Sequence, residues 1–143
     1  MAQRFIGVDV GGTKVSVAVL EGETLSEPTL QPTVLDSTEG LIDQLAQLIA
    51  AAGPADAVGI GVPSVIDFAT GTARHSVNVP LQDVPLRRLL TERLQTPVFV
   101  DNDATVAALA EAHDDDLRPI AQSLVLFTIG TGVGGGIVIG GRI

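Results

Sequence analysis

Short β-branched runs dominate the first quarter of the chain. Residues 4–10 and 14–20 are two apolar stretches separated by a tight polar turn, Asp9-Val10-Gly11-Gly12-Thr13-Lys14. Each stretch predicts a strand, and the adjacent glycines predict a turn that brings them together. Glu21-Gly22-Glu23 turns the chain again. Residues 24–35 predict a third strand, frayed by Pro28 and Pro32 and therefore at a sheet edge. Beyond Ser37-Thr38-Glu39-Gly40 the pattern changes to helical spacing, with Leu41, Ile42, Leu45, Leu48 and Ile49 on one face. Gly53-Pro54 stops this helix.

Ala57–Val62 is a short apolar run of the kind buried on both faces of a parallel sheet. Val65–Phe68 and Thr72–His75 predict a small hairpin, residues 76–80 a loop, and Pro85–Leu94 a helix with leucines on one side. Pro97–Val100 predicts another strand, Asp101-Asn102-Asp103 follows at once, and Ala104–His113 predicts an alanine-rich helix. After Pro119 come a strand at Ser123–Ile129, a glycine-rich turn at Gly130–Gly136 and a strand at Ile137–Ile139. A strand meander followed by alternating helix and strand predicts an α/β fold: a mixed five-stranded sheet with helices on both faces. The expected division is a domain over residues 1–118 and the opening hairpin of a second, similar domain over 119–143.

Composition sharpens this picture. The 143 residues suffice for one ordinary domain, and 45% of them are hydrophobic but only 3% aromatic, so the core is aliphatic. A net charge of −9 argues against a nucleic-acid or anionic-membrane surface. The chain has no cysteine, which excludes disulfides and a thiolate zinc site, and His75 and His113 lack ligand spacing. Residues 119–141 carry no charge, but their seven glycines suit strands and turns, not a membrane span. Met1–Arg4 leads straight into a strand, so a cytoplasmic protein without a secretory leader is expected.

Three stretches carry candidate chemistry. The first is the turn at residues 9–14. Gly-rich turns present backbone N–H groups to anions; here the turn also holds a hydroxyl, Thr13, and the only lysine of the chain, Lys14. Asp9 is suited to Mg²⁺, and Thr13 and Lys14 to phosphate oxygens. A plain hairpin turn is the alternative. A P-loop is excluded, because Thr13-Lys14 reverses the expected order and a strand follows where a helix is required.

The second stretch is Val100-Asp101-Asn102-Asp103, where a strand ends and a helix begins, the usual place for ligands in an open α/β sheet. A helix N-terminus favours negative charge, which suits a general base. Asp103 is the candidate base and Asn102 a candidate substrate hydrogen-bonder. Asp and Asn are also the favoured N-cap residues, so one of the three is expected to cap the helix.

The third is Gly130-Thr131-Gly132-Val133-Gly134-Gly135-Gly136. It matches G-x-G-x-x-G after a strand, but the following residues have no helical period, which excludes a dinucleotide site. A second phosphate-binding turn fits better, since five glycines in seven residues exceed what a hairpin needs.

In this order these stretches resemble the ROK family of sugar kinases and repressors, within the actin-like, ribonuclease-H-like ATPase superfamily. DVGGTK at 9–14 resembles the family's first phosphate motif, and GIGVPSVID at 59–67 its GIGVPGPVD loop. Asn78-Val79-Pro80 resembles its sugar-side N-L-P loop. VDNDATVAALAE at 100–111 is similar to its catalytic segment, and IGTGVGGGIVIGGRI at 129–143 to its second phosphate motif. Ser64 and Asp101 depart from the usual Gly and Glu.

The resemblance implies an ATP- and Mg²⁺-dependent sugar kinase of glucokinase type. Asp103 would be the base, Asn102 and Asn78 the sugar contacts, and Asp9 the metal ligand. Gly11, Gly12, Thr13, Lys14, Gly130, Thr131 and Gly132 would contact phosphates. Family members continue past the second turn with a Glu-x-Gly-His segment and a zinc cluster. The chain therefore resembles an amino-terminal half, expected to be inactive alone and to self-associate through strand edges or the terminal hairpin. A sugar-sensing ROK regulator is the alternative. The intact DVGGTK favours the kinase, as does the absence of a helix-turn-helix before Arg4-Phe5.

Overall fold

A computed structural model describes residues 2–130 and 132–143. The chain divides into two compact units, Met1–Asp101 and Asn102–Ile143.

The first unit is built on β1 (Arg4–Val10), β2 (Lys14–Glu21), β3 (Thr24–Leu25), β4 (Thr29–Pro32), α1 (Thr38–Ala51) and β5 (Ala57–Val62). It continues with β6 (Ser64–Asp67), β7 (Thr72–Ser76), β8 (Gln82–Val84), α2 (Leu86–Leu94) and the start of β9 (Val98–Asn102). The main sheet is mixed, in the order β3-β2-β1-β5-β9, with β4 also on β2. β1 and β2 are antiparallel, while β1 and β5 are parallel with Val8 opposite Ile60. The expected third strand is two short pieces, so the sheet has six strands. They are separated around Pro28, which has no N–H to give to a ladder.

Alternation along β1 buries Ile6, Val8 and Val10 and turns Gly7 and Asp9 to the exposed face. Leu41, Leu45 and Ile49 of α1 join this core, as do Leu86 and Leu90 of α2. Ser37 caps α1, its hydroxyl accepting the Gly40 N–H at 3.0 Å. β6, β7 and β8 form a separate small sheet. β8 occupies a stretch for which no strand is expected from the sequence, and Asp83 within it has φ 51°.

The second unit holds α3 (Asp103–Glu111), β10 (Ser123–Ile129) and β11 (Val133–Ile139). β10 and β11 pair antiparallel from Ser123↔Ile139 to Ile129↔Val133. Ala108 and Ala112 of the helical segment and Val138 of β11 form its buried centre, with Leu124 and Leu126 against them. The opposite face of the hairpin exposes Val125, Phe127, Ile129, Val133, Ile137 and Ile139. Among the described residues, no helix is long and apolar enough to cross a membrane.

Candidate functional site

In the first unit the candidate residues gather at the carboxyl ends of the parallel strands. Asp9 ends the exposed face of β1, opposite Ser16 on β2 and Gly61 on β5. Both of these in-register neighbours are small. After Val10 the chain turns. The Gly11 N–H donates to the Lys14 carbonyl at 2.9 Å, and Thr13 and Lys14 stand exposed at the tip.

Gly12 faces Asn78 directly. A Cβ built on Gly12 would lie 3.0 Å from the Asn78 Cβ, so the lack of a side chain lets the 76–80 loop seat against the turn. The same loop is tied to α1, where the Thr38 hydroxyl donates to the Pro80 carbonyl at 2.6 Å. Val79 and Leu81, on either side of Pro80, are buried and anchor the loop just after the exposed Asn78. The structure thus brings together Asp9, Gly11, Gly12, Thr13, Lys14 and Asn78.

Two polar features here were not singled out from the sequence. Ser64, buried just beyond β5, shares a hydrogen bond with Ser76, two residues before Asn78. In the small sheet Arg74 bonds Asp67 at 2.9 Å and Asp83 at 3.5 Å. The Arg74 guanidinium holds the Asp67 carboxyl below the usual aspartate value. His75 Nδ1 pairs with Gln82 Oε1 and His113 Nδ1 with the Leu109 carbonyl, local roles for both rings.

In the second unit, Asn102 is the cap of α3. Its Oδ1 accepts the N–H of Ala104 and of Thr105, each at 3.1 Å. That oxygen is committed to the helix, so a sugar contact from Asn102 would fall to its amide hydrogens. Asp103 is the first helical residue, half-buried, with Oδ1 accepting the Ala104 N–H at 2.8 Å. It lies at the helix start, where the helix dipole favours an anion.

The glycine-rich stretch differs from its expected form. β11 begins at Val133, so Gly134, Gly135 and Gly136 belong to a strand and not to a turn. A Cβ on Gly136 would lie 2.5 Å from both the Ala104 carbonyl oxygen and the Ala108 Cβ, and one on Gly134 2.6 Å from the Thr128 hydroxyl. Two of the excess glycines therefore have packing causes: Gly136 lets β11 close on α3, and Gly134 lies against Thr128 of the paired strand β10. Gly130 and Gly132 face open space, and the Gly130 N–H donates to the Gly132 carbonyl at 2.9 Å. Thr131 lies outside the described residues.

The donor set at 11–14 fits a phosphate chain: the backbone of a glycine turn, an exposed hydroxyl and an exposed ammonium. No group of three or more His, Cys, Asp or Glu side chains placed to hold a metal occurs among the described residues. A single carboxylate such as Asp9 suits Mg²⁺, which keeps several waters and binds through phosphates.

The model of the ROK family matches residues 5–143. The N-acetyl-D-glucosamine kinase of Escherichia coli O6:H1 is 39% identical over 146 residues, covering 96% of this chain and 47% of that protein. The structure of a ROK hexokinase from Thermus thermophilus superposes with a TM-score of 0.79 at 37% identity, over 98% of this chain and 48% of that one. A ROK family glucokinase from Streptomyces griseus, solved with glucose and AMPPNP, gives 0.84 at 31% identity, over 99% and 46%. The chain spans about half the length of the curated relatives it matches.

Proposed function

Because this chain belongs to the ROK family, we propose that it is the amino-terminal portion of an ATP-dependent sugar kinase, which transfers the γ-phosphoryl group of ATP to a sugar hydroxyl. The observation that carries the reading is the position of Asp103. It follows β9 as the first residue of α3, in a chain 39% identical to a relative named as a sugar kinase.

Each residue has a role in this reading. Asp103 accepts the proton of the acceptor hydroxyl as that oxygen attacks phosphorus. The amide hydrogens of Asn102 and the side chain of Asn78 orient the sugar. Gly11, Gly12, Thr13 and Lys14 hold phosphate oxygens, as do Gly130, Thr131 and Gly132. Asp9 holds Mg²⁺, which supplies charge neutralisation on the phosphates when bound. Phosphoryl transfer depends mostly on positioning, so the 143-residue chain alone is expected to be inactive. A cytoplasmic location fits an enzyme that uses ATP and free sugar. Self-association through the exposed apolar face of the β10–β11 hairpin is part of the same proposal.

The test is Asp103→Ala in a full-length kinase carrying this segment. Sugar-dependent ATP consumption is expected to fall by at least ~10²-fold, the range for lost acid–base help, with the KM for ATP retained. Unchanged turnover would remove Asp103 from the role of base.

A further inference from the structure

Gln44 is out of place by composition. It lies in the apolar stripe of α1 with Leu41, Ile42 and Leu45, and only 9% of it is exposed. A buried carboxamide must find partners. Its Oε1 accepts the Val34 N–H at 2.9 Å, and its Nε2 donates to the Pro32 carbonyl at 2.7 Å. The two bonds grip the residues on either side of Thr33. Val34 also lies against the first turn of α1, its Cγ1 3.0 Å from where a Cβ on Gly40 would be.

Thr33, so held, reaches the 9–14 turn twice. Its hydroxyl donates to the Gly11 carbonyl at 2.7 Å, and its N–H donates to the Thr13 carbonyl at 3.0 Å. In a trans peptide the carbonyl and the next N–H point in opposite directions. Fixing the carbonyls of Gly11 and Thr13 toward Thr33 therefore turns the N–H groups of Gly12 and Lys14 away from it. Anion-binding turns need their amides held outward before the anion arrives.

We propose that Gln44, acting through Thr33, is a positioning residue that pre-sets the 11–14 turn as a phosphate cradle. The inference rests on the phosphate reading of that turn and adds the helix α1 as its support. Neither Gln44 nor Thr33 touches the reacting atoms.

The test uses this chain, labelled with ¹⁵N, with four variants: Thr33→Val, Thr33→Ser, Gln44→Leu and Gln44→Glu. Two quantities are read: amide exchange at Gly11, whose N–H closes the turn onto Lys14, and the shifts of the 11–14 amides on titration with inorganic tripolyphosphate and Mg²⁺. Thr33→Val and Gln44→Leu are expected to speed Gly11 exchange about tenfold relative to Ile60 of β5, and to weaken tripolyphosphate binding about tenfold, the scale of one lost hydrogen bond. Thr33→Ser keeps the hydroxyl and should match the wild type. Gln44→Glu keeps only the acceptor and should fall between.

Acceleration shared equally by Gly11 and Ile60 would mean general loss of stability and overturn the proposal. So would unchanged tripolyphosphate affinity in Thr33→Val and Gln44→Leu. Exchange that responds as expected in a wild-type chain showing no shift with tripolyphosphate would instead overturn the phosphate reading of the turn.

Discussion

Gly136→Ala tests the packing that positions the helix carrying Asn102 and Asp103. Gly136 sits on the inner face of β11, and α3 meets it with Ala104 and Ala108, four residues apart on one helix face. A methyl group at position 136 would lie 2.5 Å from the Ala104 carbonyl oxygen and 2.5 Å from the Ala108 Cβ. Carbon atoms pack at about 3.5–4.0 Å, so the new methyl is roughly 1 Å too close. One neighbour is backbone and the other is a Cβ fixed to it, so neither can rotate away. The helix must move off the strand as a body. Overpacking costs about 1–3 kcal/mol, while replacing a strand glycine returns about 0.5–1 kcal/mol. The expected net loss is about 1–2 kcal/mol.

The chain has no Trp or Tyr, so far-UV circular dichroism in urea is the assay. Gly132→Ala is the control, since a Cβ there meets nothing within 4 Å. In a full-length kinase, Gly136→Ala should also lower kcat, because a displaced α3 carries Asp103 with it. If Gly136→Ala and Gly132→Ala unfold at the same urea concentration, the close packing of α3 on β11 is refuted.

Further outcomes follow from single interactions. Asn102→Ala removes the cap of α3 and should lower stability by about 1 kcal/mol, with Asn102→Asp near the wild type in thermal unfolding; an unchanged Asn102→Ala midpoint would contradict the cap. The Asp67 carboxyl is lowered by its bond to Arg74, so its contribution is present above the ordinary aspartate pKa of about 3.9 and is lost as pH falls through the lowered folded value. The stability gap between the wild type and Arg74→Ala should therefore close in strong acid, and a gap undiminished at low pH would refute the pairing. Phe127→Asp on the exposed face of the hairpin should abolish concentration-dependent association in sedimentation velocity; a wild-type chain that stays monomeric at every concentration would refute association through that face.

Much of the fold was legible because its strands alternate and its helices repeat at their own periods. Ile6, Val8 and Val10 declare the buried face of β1, and Leu41, Leu45 and Ile49 that of α1. Boundaries set by side-chain chemistry were also readable, such as the Ser37 cap. Pro28 had to interrupt the third strand, though not visibly into two pieces on one partner. β8 was hidden because three residues carry too little pattern to show a period. The candidate residues at 9–14 could be grouped from their chemistry, but the approach of Asn78 to Gly12 depends on a contact between distant stretches that no local pattern encodes.

Gln44 and the glycines of β11 show why part of the site escaped a reading by residue type. A polar residue in an apolar stripe was the available signal at position 44, and its meaning lay in Pro32 and Val34, beyond the start of its own helix. At 130–136 the signal was visible but carried more than one cause. Gly130 and Gly132 face open space, where backbone can approach a ligand, whereas Gly136 faces a helix that admits no side chain. A glycine marks a close approach without naming what approaches. The distinction matters for assigning roles: substitution at 136 should act on the placement of α3, and substitution at 130 or 132, under the proposed function, on phosphate binding.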